Sequence, residues 1–155
     1  MKYSRLTKEQ FEALHQEFSN FLASQKIDKK EWDIIKEEKP NIAEQELDIF
    51  SDLIWEGVLQ NTAFLEHFSK QHIFLIQCLK NEMESIILKT NVDIDFTTQQ
   101  GLLWLDSHLR SDDLEIIKGS KKYSKERNLE IFEYIKQGAN ISKGEIYNKL
   151  KSTLK

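Results

Sequence analysis

The chain has 155 residues, of which 39% are hydrophobic and 31% charged, with five glycines, one proline and one cysteine. That composition excludes collagen-like, fibrous and disulfide-framework proteins, and three tryptophans with nine phenylalanines supply too much apolar surface for a disordered chain. The formal charge of −4 argues against a generic nucleic-acid coat, yet it is unevenly laid out: residues 1–117 sum to −10 and residues 118–155 to +6.

Thr7 with Gln10 makes a capping box, which predicts a first helix with Phe11, Leu14, Phe18, Phe21 and Leu22 facing inward. Asp28 with Glu31 repeats that start signal for a short helix carrying Trp32 and Ile35, stopped ahead of Pro40 because a residue before proline is pushed out of helical geometry. Asn41 with Glu44 begins a third helix reaching Leu59, with Ala43, Leu47, Phe50, Ile54 and Val58 on its core face. The period then changes. His72 to Lys80 and Met83 to Thr90 are β-rich runs around the loop Asn81-Glu82, which sets Ile76 opposite Ile87 and Leu75 opposite Leu88. Apolar residues on both faces predict a covered hairpin, against the competing reading of His72 to Leu79 as helix. Thr97 with Gln100 starts a helix to Leu109, and Leu114 to Lys118 is a third strand. Ser124 caps a helix to Gln137 that Gly138 terminates, and Ser142 with Glu145 caps the last helix, with Ile146, Leu150 and Leu154 inward. The expected fold is α+β: about six helices and a small antiparallel sheet of three strands, in one globular domain over residues 1–155. Residues 1–60 hold three helices, 70–118 the hairpin, a helix and the third strand, and 124–155 the two C-terminal helices.

The segments EKPNIAEQELDIFSDLIWEGVL (38–59) and NLEIFEYIKQGANISKGEIY (128–147) resemble a family of small, functionally uncharacterised bacterial proteins. The resemblance implies a cytosolic bacterial protein and assigns no functional residues. Independently, a single cysteine, no apolar leader after Met1 and no apolar run longer than four residues point to a reducing, cytoplasmic compartment without membrane contact.

Enzymatic signatures are sparse. No phosphate-cradling glycine loop, nucleophile elbow or zinc-helix motif occurs, and no cofactor is indicated. Glu12 and His15 have the spacing of a carboxylate-imidazole metal pair but lack the second pair that such a site needs. Cys78 lies among Phe74, Ile76 and Leu79, as a buried structural thiol does, and an extended strand holds it about 20 Å from His72. An enzyme assembled only by the fold would draw on His67, His72, Asp112 and Asp113.

Two surfaces point instead to binding. On the third helix Glu44, Asp48, Asp52 and Glu56 recur every four residues as an acidic ridge, and Trp55 projects between Glu44 and Asp48. A tryptophan amid acids suits an anchor for a basic or amphipathic protein partner, unless the monomer covers it. The all-apolar turn Leu102 to Leu105, with Trp104, must be enclosed by the fold or meet another copy. The second surface is a basic loop holding Lys118, Lys121, Lys122, Tyr123, Lys125 and Arg127, extended by Lys143, Lys149, Lys151 and Lys155. Cations around an aromatic fit an acidic protein partner or, alternatively, RNA, in which bases stack on the ring. The leading expectation is a non-enzymatic protein-interaction or accessory protein, self-association included, with an RNA- or ribosome-associated factor as the alternative.

Overall fold

The computed structural model describes residues 1–154, so Lys155 lies outside the described residues. They form seven helices and five strands, an α+β fold with two more strands and one more helix than expected. The chain divides into two compact units, residues 1–60 and 61–155.

The first unit is helical: α1 (Lys8–Ala13), α2 (His15–Ala23), α3 (Lys29–Glu38) and α4 (Pro40–Gln60). The Thr7/Gln10 capping box is present with both hydrogen bonds, and the Asp28 side chain accepts from the Glu31 amide. The first expected helix is split at Leu14, whose ψ of 22° leaves helical geometry. Pro40 opens α4 rather than preceding it, at the helix position where a missing N–H costs nothing. The apolar stripe closes around Phe50, 1% exposed, with the rings of Phe18, Phe21 and Phe11 at 5.0, 5.4 and 6.0 Å and Trp32 edge-on to Phe18 at 5.3 Å.

The second unit is an antiparallel sheet of β1 (Phe64–Phe68), β2 (His72–Cys78), β3 (Glu82–Thr90), β4 (Leu114–Lys122) and β5 (Asn140–Ser142), in the order β4-β3-β2-β1-β5. The hairpin exists, and the helical alternative for its first strand is excluded. Its turn falls one residue early, with the Leu79 amide donating to the Glu82 carbonyl at 2.9 Å across Lys80-Asn81. Ile76 therefore meets Ser85, Leu75 meets Ile86 and Phe74 meets Ile87. A slip of two residues along the partner strand keeps every side chain on its expected face, so the hydrophobic pattern alone does not resist it.

Register fixes the two faces of the sheet. Ile73, Leu75, Ile86, Leu88 and Leu114 share one face and pack with Phe96, with Leu105 of α5 (Gln99–Ser107) and with Tyr147 and Leu150 of α7 (Glu145–Thr153). The turn Leu102 to Leu105 is only partly enclosed, because Leu105 is buried, Trp104 is half-buried and Leu103 remains exposed. On the opposite face Tyr134 of α6 (Arg127–Lys136) borders grooves floored by Leu65, Ile76 and Met83.

Three helix starts differ from expectation. Thr98 rather than Thr97 caps α5, accepting from the Gly101 amide, because Thr97 is taken by Asp95. Ser124 does not cap α6, which begins after Glu126, since its amide and hydroxyl both turn to Glu130. Gly144, at φ 77°, opens α7 in place of Ser142. Gly138 does terminate α6 with a positive φ of 111°.

Candidate functional site

The acidic ridge is occupied from within its own unit. The amides of Lys2 and Tyr3 donate to the Asp52 carboxylate at 2.7 and 2.8 Å, and the Tyr3 hydroxyl donates to Glu56 at 2.7 Å. The Arg5 guanidinium reaches Asp48 at 2.8 Å and also pairs with Glu44, while the Leu6 amide donates to Ser51 Oγ at 3.1 Å. A strap of residues 2–6 thus lies along α4 and satisfies all four carboxylates that were expected to face a partner. Burial and then the Glu56 carboxylate push the Tyr3 phenol up to about 12. Trp55 is half-buried with its indole nitrogen enclosed, so it is not the exposed anchor that the helical projection allowed. Glu46, on the apolar side of α4, accepts from the Gln25 side-chain amide at 2.8 Å.

The basic stretch is strand rather than loop as far as Lys122, and it divides by face. Sequence reasoning ends the strand at Lys118 because Gly119 and Ser120 read as turn residues. They stay in the ladder because Gly119 pairs with Ser85 where space is short, a Cβ there lying 3.2 Å from Ser85 Oγ. Lys121 points to the α6 face and is ion-paired with Glu130, whose side chain is only 5% exposed. Burial alone would raise the Glu130 carboxyl, but Lys121 and the Ser124 amide and hydroxyl, at 3.0 and 3.2 Å, hold it below the usual range. Lys125 pairs with Glu133. The Tyr123 hydroxyl donates to the Leu79 carbonyl at 2.7 Å, and burial pushes that phenol up to about 12. Arg127 donates to the carbonyls of Leu79 and Thr62 at 3.1 and 2.6 Å and to the Asn128 side chain at 2.8 Å. Tyr123 and Arg127 thus clamp the β2-β3 turn, a structural task that occupies the Tyr123 hydroxyl and the Arg127 guanidinium.

Lys118 and Lys122 remain. Their register partners Ile86 and Glu82 put them on the α7 face, on either side of Ser120. Lys118 and Ser120 border a groove of about 370 Å³ whose other walls include Glu84, Tyr147 and Lys151. The Tyr147 hydroxyl donates to Glu84 at 3.4 Å across it. Of the other cations beyond the loop, Lys149 is paired with Asp106 at 2.8 Å. The opposite face at this edge carries Glu115, Ile117, Gly119 and Lys121, with Ile117 42% exposed. β4 pairs with β3 alone, so the N–H and C=O groups on its outer side have no strand to meet, and residues Ile117–Lys122 are exposed throughout. No sequence signal marks this edge, since a strand's position in a sheet is a property of topology.

The residues reserved for fold-assembled catalysis do not converge. His67 lines a groove of about 250 Å³ with Phe74 and Tyr134, and its Nδ1 donates to the Gly138 carbonyl at 3.0 Å; His72, Asp112 and Asp113 lie outside that groove. Cys78 is buried, and burial pushes its thiol up to about 11 despite the nearby Arg127 charge. His15 is exposed, with Nδ1 against the Glu12 carbonyl at 3.1 Å, and among the described residues no three His, Cys, Asp or Glu side chains are grouped to hold a metal. No described helix is long and apolar enough to cross a membrane.

Over residues 1–155 the chain belongs to a family of unknown function (DUF6495). No curated protein and no solved structure matches it.

Proposed function

We propose that the protein is a non-enzymatic protein-interaction factor of the bacterial cytoplasm that takes up an acidic, extended segment of a partner along the outer edge of β4. The observation that carries this is the unpaired, nine-residue β4 edge, on which Lys118 and Lys122 have no ion-pair partner among the described residues. An added strand supplies main-chain hydrogen bonds to such an edge, and side-chain charge selects which strand is admitted. Two copies of β4 pairing edge to edge would bring lysines together, so the same charges that admit an acidic strand disfavour this chain's own. A cytoplasmic setting agrees with the single, buried cysteine.

The RNA reading rests on Tyr123 and the cations around it, but the Tyr123 hydroxyl and three of those cations, Lys121, Lys125 and Arg127, hold carboxylates or carbonyls. Hydrogen exchange separates the two. In the presence of a glutamate-rich peptide the amides of residues 114–122 become protected, whereas single-stranded oligouridine at the same ionic strength leaves them unchanged. Protection by the RNA and none by the peptide overturns the proposal.

A further inference from the structure

The geometry points to a sequence rule for the partner: the segment that pairs with β4 alternates acidic and apolar residues, acids on the α7 face and apolar side chains on the α6 face. The inference rests on the edge-pairing reading above and names what that edge selects.

Side chains of an added strand lie directly beside those of β4 with the same two-residue alternation, so each face of the edge reads every second partner residue. On the α7 face the partner meets Lys118, Ser120 and Lys122 in succession, with Lys151 across the groove. Two cations separated by four residues along one strand stand about 13 Å apart, which is the reach of carboxylates at the first and fifth positions of the partner. The intervening Ser120 and the groove beside Tyr147 accept a third side chain, for which a carboxylate is again favoured by the flanking ammonium groups. Two acids of β3 share this face: Glu84, which borders the groove and is engaged by the Tyr147 hydroxyl, and Glu82, opposite Lys122 in register.

The α6 face demands the opposite. Lys121 is committed to the buried Glu130, so a carboxylate arriving there meets a neutralised lysine with an anion behind it. On the same face of β4 Gly119 offers no side chain and Ile117, beside Ile87 of β3, is 42% exposed, while Glu115 lies beyond it, leaving a short apolar floor between an acid and a neutralised lysine. Apolar partner residues cover that floor; charged ones would be desolvated without a counter-charge. The two faces of one strand therefore carry different chemistry, and only an alternating segment satisfies both.

The test compares two short peptides of equal composition by fluorescence anisotropy, one alternating glutamate and valine and one with the glutamates in a block followed by the valines. Hydrogen exchange over residues 114–122 is followed in parallel. The alternating peptide binds about tenfold more tightly, since two or three favourable cross-strand pairs are gained or lost together. The double substitution Lys118→Glu and Lys122→Glu abolishes that preference, while Lys143→Glu, away from β4, leaves it intact. If both peptides bind equally and both protect β4, the edge pairs but the alternation rule is wrong. If neither protects β4, the edge-pairing reading itself fails. An alternating peptide in which every second amide is N-methylated loses binding if the contact is a strand ladder, and retains it if the lysines merely attract charge.

Discussion

Replacing Glu130 with glutamine keeps the shape of a nearly enclosed side chain while removing its charge and one of its two acceptor oxygens. In the folded protein that carboxylate receives the Lys121 ammonium and the Ser124 amide and hydroxyl, tying the end of β4 to the first turn of α6. Glutamine still accepts from the Ser124 amide, but its own NH2 then faces the ammonium. The lost ion pair contributes about 0.5–1 kcal/mol, because Lys121 is 48% exposed and solvent screens it. The donor left opposing a donor adds roughly 1 kcal/mol. A loss of about 2 kcal/mol in a unit spanning residues 61–155 lowers Tm by roughly 8–16 °C. Calorimetry at pH 7 reads the shift directly. Because the folded carboxyl lies below its unfolded value, its contribution is complete above the ordinary carboxylate range and is lost as pH falls through the lowered folded pKa. The wild-type and E130Q melting curves should therefore converge under acid. A gap under about 2 °C at pH 7, or one that persists unchanged at pH 3, would refute the account.

A Cβ at Gly101 would fall 1.8 Å from the Asp95 carbonyl oxygen, so Gly101→Ala must displace backbone and is expected to destabilise by at least about 2 kcal/mol in a denaturant titration. Gly57→Ala is its counterpart: a Cβ there meets nothing within 4 Å, and the gain in helix propensity should stabilise by about 0.5–1 kcal/mol. Asp52→Ala removes the acceptor for two strap amides and should make residues 1–7 a fast site of limited proteolysis while the rest of the chain resists. Cys78, buried and with its thiol pushed up to about 11, should react with a thiol reagent at pH 8 on the order of 100-fold more slowly than in the urea-unfolded chain. Equal rates would place the thiol at the surface.

What local physics governs was readable. The Thr7 and Asp28 caps, the Phe50 stripe, the hairpin and the Gly138 terminator each follow from a few neighbouring residues, and each is present. The misses have a common cause, which is competition for a partner remote in sequence. Ser124 has the chemistry of a cap but gives its hydrogen bonds to Glu130, and Gly119-Ser120 have turn chemistry but are held in the ladder by β3. β1 and the three-residue β5 carry little periodic signal, and β5 exists only because β1 offers it an edge. The candidate sites fared in the same way. Spacing alone places four carboxylates on one side of α4, but nothing in that spacing shows the chain's own Arg5 and Lys2 lying against them. Likewise six residues of one basic stretch look equivalent until topology sends Lys121 to one face and Lys118 and Lys122 to the other.

The lysines along β4 also set how the protein behaves in concentrated salt. At about 1 M the screening length shrinks to roughly 3 Å, shorter than the spacing between neighbouring strands, and repulsion between two basic edges fades while their main-chain groups remain just as able to pair. Storage in strong salt, ordinarily a safeguard for a charged protein, should thus favour oligomers joined through β4, and light scattering should show particle size rising with ionic strength.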